Sequence, residues 1–285
     1  MKSLNWDKCL QEVEYRNGIW FSQFEEDISY PEYLSNQFFL IEESSYWFQH
    51  RNNCIISAVN NYPPSDKTVF DVGGGNGLVS KCLQDNGYEA VLIEPNQDGV
   101  RNALKRGVNH IVCAPFSQQL FGEFKLSSVG VFDVLEHIKN DADFLGDISH
   151  QLENNGKLYI TVPAFNFLWS NEDRDANHFR RYSRHSICNL LEQNGFTVEY
   201  FTYFFGFLPL PIYLLRTIPS QLGLRKKMSR EQTENEHGKS MRFCNRFLAG
   251  LMKRELDRIK LHKQIRFGGS CLIVGKKVAG LEYPV

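Results

Sequence analysis

Hydrophobic and polar positions alternate through the middle of the chain in a pattern typical of a parallel α/β sheet. Between residues 68 and 203, short runs rich in β-branched residues alternate with segments of helical periodicity about 10–15 residues long. This alternation favours right-handed βαβ crossovers and a mostly parallel sheet. Strands are predicted at residues 68–72, 90–94, 110–113, 128–133, 157–162 and 197–203.

The flanking regions have different patterns and suggest three parts. Residues 1–64 predict a helical N-terminal cap, with a helix over 42–60, and residues 65–203 form the predicted core. Residues 204–285 predict a hydrophobic and basic extension, with a helix over 241–260. The last apolar run, 270–276, is expected to return to the sheet as an antiparallel strand. The predicted fold class is therefore α/β, a Rossmann-like seven-stranded mostly parallel sheet with an N-terminal helical cap and a C-terminal helical extension.

Composition narrows the class of protein. The seven cysteines are scattered singly and form no CxxC pair, which argues against a disulfide framework or a zinc ribbon and favours a reducing cytoplasm. The sequence does not begin with basic residues followed by an apolar run, so a signal peptide is not expected. It also contains no run of about 18 apolar residues that could form a membrane span. The sequence predicts a cytoplasmic protein without a transmembrane segment.

Charge is unevenly distributed although the formal net charge is -1. Residues 1–50 hold 3 basic and 9 acidic side chains, a balance of -6, whereas residues 221–285 hold 15 basic and 6 acidic ones, a balance of +9. The two ends either attract each other or remain solvated. Alternatively, the basic end faces an anionic substrate or a membrane surface.

The most informative segment is a glycine-rich turn that follows the first predicted core strand. An apolar strand ends at Asp71, and glycines at 73, 75 and 77 allow a tight turn and close approach of a ligand to the backbone. The spacing is GxGxG. A dinucleotide fingerprint requires GxGxxG, and its third glycine would fall on Leu78, so this site fits NAD poorly.

A second carboxylate, Glu94, ends the next strand about 20 residues after the loop and is followed by Pro95. A carboxylate at this position accepts hydrogen bonds from both hydroxyls of a ribose. Asp71 and the loop carbonyls offer partners for the ammonium group of S-adenosylmethionine. Together, the loop and Glu94 predict that S-adenosylmethionine is the cofactor.

Residues 41 to about 203 resemble the class I methyltransferases of the broad type 11/12 group. The resemblance depends on an ordered series of motifs: FDVGGGNG at 70–77, IEP at 93–95, FDVLEHI at 132–138 and NGK at 155–157. Within the group, SYWFQHR at 45–51 and HFRRY at 178–182 resemble a subgroup found in cell-surface glycan and lipid-linked sugar pathways. The resemblance implies S-adenosylmethionine-dependent methylation, with a first helix that closes over the cofactor.

The loop, the strand ends and the resemblance together predict the cofactor contacts. In such enzymes an acidic residue after the third strand often binds adenine, but here the segment reads Cys113-Ala114-Pro115-Phe116, so Phe116 is expected to stack on the base. Arg51 is expected to pair with the methionine carboxylate. The full predicted set is Tyr46, Trp47, Arg51, Asp71, Gly73, Gly74, Gly75, Asn76, Gly77, Glu94, Pro95, Phe116 and Asp133.

Two histidines are predicted to handle the proton of an acceptor hydroxyl. His137 follows the fourth strand, and His178 lies in a long polar segment after the fifth strand, with Arg181 or Tyr182 as orienting groups. Alternatively, His137 holds its loop, and the polar segment is a surface ion-pair network. A divalent ion held by an acid-x-x-Glu-His motif and His178 is a further alternative. The prediction is a simple base without a metal, with His178 slightly favoured.

The predicted function is O-methylation of a hydroxyl on a sugar or glycan intermediate. The alternatives are a small-molecule O- or C-methyltransferase of quinone or polyketide type and a non-catalytic cofactor-binding or assembly subunit. A nucleic-acid acceptor is disfavoured because the Asn-Pro-Pro-aromatic signature is absent. The aromatic and leucine-rich stretch 201–227 predicts either core packing or a peripheral contact with the inner face of a membrane and a lipid-linked acceptor.

Overall fold

The computed structural model describes residues 6–23, 33–224 and 246–279. In these ranges, one mixed sheet of nine strands runs through the molecule in the order β1-β2-β5-β4-β3-β6-β7-β9-β8. The strands are β1 Val13–Arg16, β2 Ile19–Ser22, β3 Thr68–Val72, β4 Glu89–Ile93, β5 His110–Cys113, β6 Leu126–Phe132, β7 Leu152–Pro163, β8 Phe196–Phe204 and β9 Ser270–Lys277.

Helices cover both faces of the sheet. The helices are α1 Tyr33–Ile41, α2 Tyr46–Asn61, α3 Leu78–Asp85, α4 Gln97–Arg106, α5 Gln118–Phe121, α6 Asp141–Gln151, α7 Asn171–Asp175, α8 Arg184–Gln193, α9 Pro209–Ile212, α10 Ile218–Gln221 and α11 Arg246–Lys260. A π-helical turn, Tyr213–Thr217, joins α9 to α10.

The core strands are buried on both faces, including the few polar residues that they contain. Every residue of β3 and β6 is buried, as expected for strands that are covered by helices on each side. Helices α2, α3 and α11 pack on one face, where Ile55, Leu83 and Ile259 belong to one core cluster. Helices α5, α6 and α8 cover the other face, where Leu145 and Leu191 belong to a second cluster.

The sheet topology determines where a ligand can bind. Strands β3, β4, β5, β6 and β7 are parallel, and β3 lies between β4 and β6. The chain therefore leaves β3 in one direction and returns on its other side at β6. A crevice opens at the carboxyl ends of the strands at such a switch point. The loop at residues 73–77 and the segment after Phe132 both begin there.

The predicted strands are confirmed, including the antiparallel return of the last one. Strand β9 pairs antiparallel with both β7 and β8. Helix α11 is described from Arg246, so the predicted helical residues 241–245 lie outside the described part. The division at residues 64 and 203 stays a prediction.

The N-terminal region and the strand number require correction. Residues 1–64 are not wholly helical, because β1 and β2 form a hairpin that adds two strands to the predicted seven. Strand β2 pairs with β5 through Trp20 and Phe21 and thus extends the parallel edge. The helix predicted over 42–60 begins at Tyr46, since the chain turns between α1 and α2.

Candidate functional site

The glycine loop at residues 73–77 is packed tightly at all but one of its glycines. A side chain on Gly73, Gly74 or Gly77 would meet neighbouring atoms at 2.7 Å or less, so these three glycines allow the loop to pack on the strands and helices beneath it. Gly75 differs. It has a φ of +55°, and a side chain there would meet nothing within 4 Å. The loop therefore presents Gly75 to open space, which is where a ligand can approach the backbone.

Asp71 is fully buried just before the loop. Its Oδ2 accepts a hydrogen bond of 2.6 Å from the Ser80 hydroxyl, while Oδ1 has no hydrogen-bond partner among the described residues. Burial raises the pKa of Asp71 to about 6, although the Ser80 hydrogen bond and the charge of Arg51 lower it. A buried acceptor in this state favours a cationic or N–H donor from a ligand.

Glu94 connects the end of β4 to the loop. Its Oε2 accepts from the Gly75 N–H at 2.8 Å, and its Oε1 accepts from the Asn96 N–H at 2.8 Å. Burial raises the pKa of Glu94 to about 7, in spite of these two hydrogen bonds. Each oxygen retains a second lone pair for a hydroxyl donor. Pro95 follows directly and is half-buried.

Asn76 is used inside the protein and holds the α1–α2 connection on the loop. Its side-chain amide donates to Glu42 at 3.0 Å and accepts from Asn102 at 3.1 Å. Arg106 donates to the Asn76 carbonyl at 2.6 Å and pairs with Glu42 at 2.8 Å. The sequence did not indicate this network, because its hydrogen-bonded partners lie 26 or more positions apart along the chain. A cofactor contact by the Asn76 side chain stays a prediction.

The first two turns of helix α2 lie at the carboxyl edge of the sheet, before the helix packs on one sheet face. The Arg51 guanidinium forms an ion pair with the Asp133 carboxylate and donates to the Phe132 carbonyl at 2.9 Å. Trp47 stacks on Phe205, with ring centroids 5.4 Å apart and an interplanar angle of 11°. Of the predicted lid residues, Arg51 lies at the end of β6, whereas Trp47 packs on a buried core ring, so a lid contact by Trp47 stays a prediction. Arg51 pairs with Asp133 in this structure, and its pairing with a ligand carboxylate stays a prediction.

The structure also describes Asp133 and Tyr46, two other predicted cofactor contacts. Asp133 directly follows β6 and has a φ of +57°, and its N–H donates to the Thr161 carbonyl, which turns the chain toward the glycine loop. Tyr46 is half-buried at the first residue of α2.

Phe116 packs inside the protein. Its ring lies against Phe121 and Phe144 at centroid distances of 6.2 and 6.1 Å, and only 9% of the residue is exposed. Stacking on adenine stays a prediction, and it would require the face of this ring to become accessible.

The two predicted histidines lie together. The rings of His137 and His178 are 4.7 Å apart and nearly perpendicular. The main chain brings them together, because the Phe179 N–H donates to the Glu136 carbonyl at 2.8 Å. Burial and the neighbouring His178 lower the pKa of His137 to about 3, so His137 is neutral at any working pH.

Asp173 orients His178. Its Oδ1 lies 2.9 Å from His178 Nδ1, and Arg181 contacts both of its oxygens at 2.7 and 3.0 Å. Burial raises the pKa of Asp173, but hydrogen bonds and charge from His178 and Arg181 outweigh this and lower it to about 2. The ionised carboxylate assigns the proton of neutral His178 to Nδ1 and leaves Nε2 as the proton acceptor.

The ion-pair alternative for this segment is partly confirmed, since Asp173 pairs with Arg181 and Arg180 pairs with Asp141. Tyr182 is buried and donates to Asp141 at 2.9 Å. Tyr182 therefore stabilises the loop from within and does not present its hydroxyl to an acceptor, contrary to one prediction.

A divalent cation has a set of ligands in the same place. Glu136, His137 and His178 each offer one ligand atom, and these atoms all lie within 4.8 Å of one another. Glu136 is buried, and its Oε2 has no hydrogen-bond partner among the described residues. Burial and the charge of Asp133 raise the Glu136 pKa well above its usual range. Asp133 itself is paired with Arg51.

Comparisons with known proteins agree with this geometry. Residues 47–200 match the family model described as a methyltransferase domain. A Staphylococcus carnosus (strain TM300) protein named as an uncharacterized methyltransferase is 27% identical over 165 residues, covering 56% of this chain and 71% of that protein.

Two solved structures share the fold. One is a complex between the Haloferax volcanii Trm112 methyltransferase activator and a methyltransferase, with a TM-score of 0.54, 13% identity and coverage of 87% of this chain and 99% of that chain. The other is Haemonchus contortus phosphoethanolamine N-methyltransferase 2 in complex with S-adenosyl-L-methionine, with a TM-score of 0.53, 14% identity and coverage of 91% and 62%.

Proposed function

Because this chain belongs to the methyltransferase domain family and is an S-adenosylmethionine-dependent methyltransferase, we propose that it methylates a hydroxyl group on a sugar or glycan intermediate. The observation that carries this proposal is the Asp173–His178 pair. The pair lies in the connection after β7, and the carboxyl end of β7 is at the same edge of the sheet as the glycine loop. A hydroxyl is a poor nucleophile until its proton is removed, so a positioned base favours an oxygen acceptor.

The residues around the loop fit the cofactor. When bound, S-adenosylmethionine supplies an electrophilic methyl group on a sulfonium sulfur. The space beside Gly75 is open, so the ligand can approach the protein backbone there. Glu94 offers two oxygens to the ribose hydroxyls, and Asp71 offers its Oδ1 to the ammonium group. Arg51 would hold the carboxylate by exchanging part of its contact with Asp133.

The residues at the acceptor end have different roles in removing the proton of the acceptor hydroxyl. His178 accepts the proton of the acceptor hydroxyl at Nε2, and Asp173 stabilises the imidazolium that results. His137 stays neutral next to it because its pKa is about 3. A second cation beside His178 is thereby avoided. Arg181 holds Asp173 in place and neutralises part of its charge.

Polar groups support a sugar over an apolar acceptor. The acceptor end carries Glu136, His137 and His178, each of which offers one polar atom within 4.8 Å of the others. An acceptor with several hydroxyls would satisfy the buried Oε2 of Glu136, which has no partner among the described residues. The motifs at 45–51 and 178–182 support the same acceptor class by resemblance.

The test measures transfer of a labelled methyl group to sugar nucleotides, lipid-linked sugars and phenols. His178→Ala should lower kcat on the best acceptor by about 10²–10⁴-fold and leave the Kd for S-adenosylhomocysteine within a few-fold. His185→Ala is the matched control, because His185 is exposed on α8. Methylation of phenols alone would refute the sugar assignment. Full turnover in both His178→Ala and His137→Ala would refute the base.

A further inference from the structure

The helical segment at residues 209–224 exposes most of its large apolar side chains. Thr217 and Ser220 are buried, and the Thr217 hydroxyl donates to the Leu168 carbonyl at 3.0 Å. Five leucines point outward and are 50–75% exposed; they form what we call the leucine face: Leu210, Leu214, Leu215, Leu222 and Leu224. A helix at a water-exposed surface normally has the opposite arrangement. Such a patch marks an interaction site.

The leucine face borders the candidate active site. Tyr213 lies in the same segment, and its ring contacts Phe167 edge-on at 6.1 Å. Phe167 is itself about half exposed and follows β7 at the carboxyl edge of the sheet. Its short helical turn is followed by α7, which carries Asp173, the partner of His178. A surface bound to the leucine face would therefore lie next to the acceptor end of the site.

Positive charge accompanies this apolar face. A groove of about 440 Å³ beside Gly206 and Phe207, just before α9, is lined by Arg254, Arg258 and Arg266 and by the buried carboxyl group of Glu255, so basic side chains outnumber acidic ones three to one. The three arginines are exposed. Within the segment at residues 209–224, Arg216 adds a further positive charge and no acidic residue occurs. Leucines next to exposed arginines match a membrane interface, where apolar side chains enter the acyl region and cations contact anionic headgroups.

We propose that the leucine face docks this protein on an anionic lipid bilayer, with the arginine groove against the headgroups. Among the described residues, no helix has the length and apolar character needed to cross a bilayer, so docking is peripheral. The inference deepens the proposed function, because a sugar acceptor attached to a lipid anchor would reach the site from that surface. The docking itself depends only on the surface residues named here.

The experiment measures co-flotation of the full chain with vesicles, without any acceptor. Vesicles of equal parts phosphatidylcholine and phosphatidylglycerol are compared with vesicles of phosphatidylcholine alone. The protein should bind the anionic vesicles and bind the neutral ones several-fold more weakly. Leu214→Asp/Leu215→Asp should lower binding to the anionic vesicles by about tenfold or more, because two leucines no longer leave water. Leu40→Asp/Leu104→Asp is the matched control, because it adds the same two charges at exposed leucines on α1 and α4, away from the leucine face and the arginine groove.

Unchanged S-adenosylhomocysteine binding in the Leu214→Asp/Leu215→Asp double variant would establish that it is folded. Equal flotation of the double variant and the native chain would overturn the proposal, and so would no binding of the native chain to anionic vesicles. A dimer in light scattering that the double variant abolishes would also overturn it, because a second copy would then cover the face. Failure of docking leaves methylation of a water-soluble sugar intact, and vesicle binding without sugar methylation would refute only the proposed function.

Discussion

Replacing Glu94 tests the cofactor site most quantitatively. Glu94→Ala removes both acceptors for the ribose hydroxyls and also the acceptors of the Gly75 and Asn96 N–H groups, each bound at 2.8 Å. Hydrogen bonds to a charged group contribute about 1.5–3 kcal/mol. The Kd for S-adenosylhomocysteine should therefore rise by about 10- to 150-fold. Glu89→Ala is the control, because Glu89 starts the same strand at the opposite edge of the sheet.

Isothermal calorimetry measures the two affinities, and thermal melting establishes that each variant is folded. An analogue of S-adenosylhomocysteine whose ribose lacks both hydroxyls separates direct contact from disturbance of the loop. The native chain should bind this analogue weakly, and Glu94→Ala should weaken it little further. A change of less than about twofold for S-adenosylhomocysteine, in a folded variant, would show that Glu94 does not contact the cofactor.

Three further results are expected. Gly75→Val should abolish measurable cofactor binding, and the control Gly87→Val should leave it intact. Both glycines have positive φ and open surroundings, but only Gly75 lies at the site. Equal losses of binding in the two variants would attribute the effect to backbone strain. Affinity for S-adenosylhomocysteine should rise as pH increases through about 7, where Glu94 ionises, and binding there should release protons; a flat profile would contradict this. A chelator should leave turnover unchanged, whereas inactivation reversed by a divalent ion would assign Glu136, His137 and His178 to a metal.

The sequence predicted the core because its signals are local. The all-buried strands β3 and β6 are short and mainly apolar, and the glycine spacing at 73–77 marks the turn between a strand and a helix. The switch point then follows from strand order, which brings Glu94 and Asp133 to the loop. These features require no knowledge of distant contacts.

The N-terminal hairpin was missed although it has a local signal. Asn17-Gly18 has positive φ at both residues, at +50° and +88°, as a type I′ hairpin turn requires. The flanking strands are four residues each, and β1 is almost entirely exposed, so apolar alternation could not reveal it. Pairing of β2 with β5 depends on residues about 90 positions apart.

Polar contacts between residues far apart along the chain could not be predicted from the sequence either. Nothing local links Glu42 to Arg106, or Arg51 to Asp133, since each pair lies more than 60 residues apart. Asp173 is different. It lies five residues before His178, within the segment predicted to be polar, and in the structure it orients the histidine. Charge density predicted a polar segment but not which carboxylate faces which ring.

The cofactor site is tested most directly by a crystal structure of the chain with S-adenosylhomocysteine. We expect ligand density over Gly75, with the ribose hydroxyls within hydrogen-bond distance of the Glu94 carboxylate and the amino acid end near Asp71 and Arg51. Density at another edge of the sheet, or an occupied loop with Glu94 turned away from the ribose, would contradict this expectation.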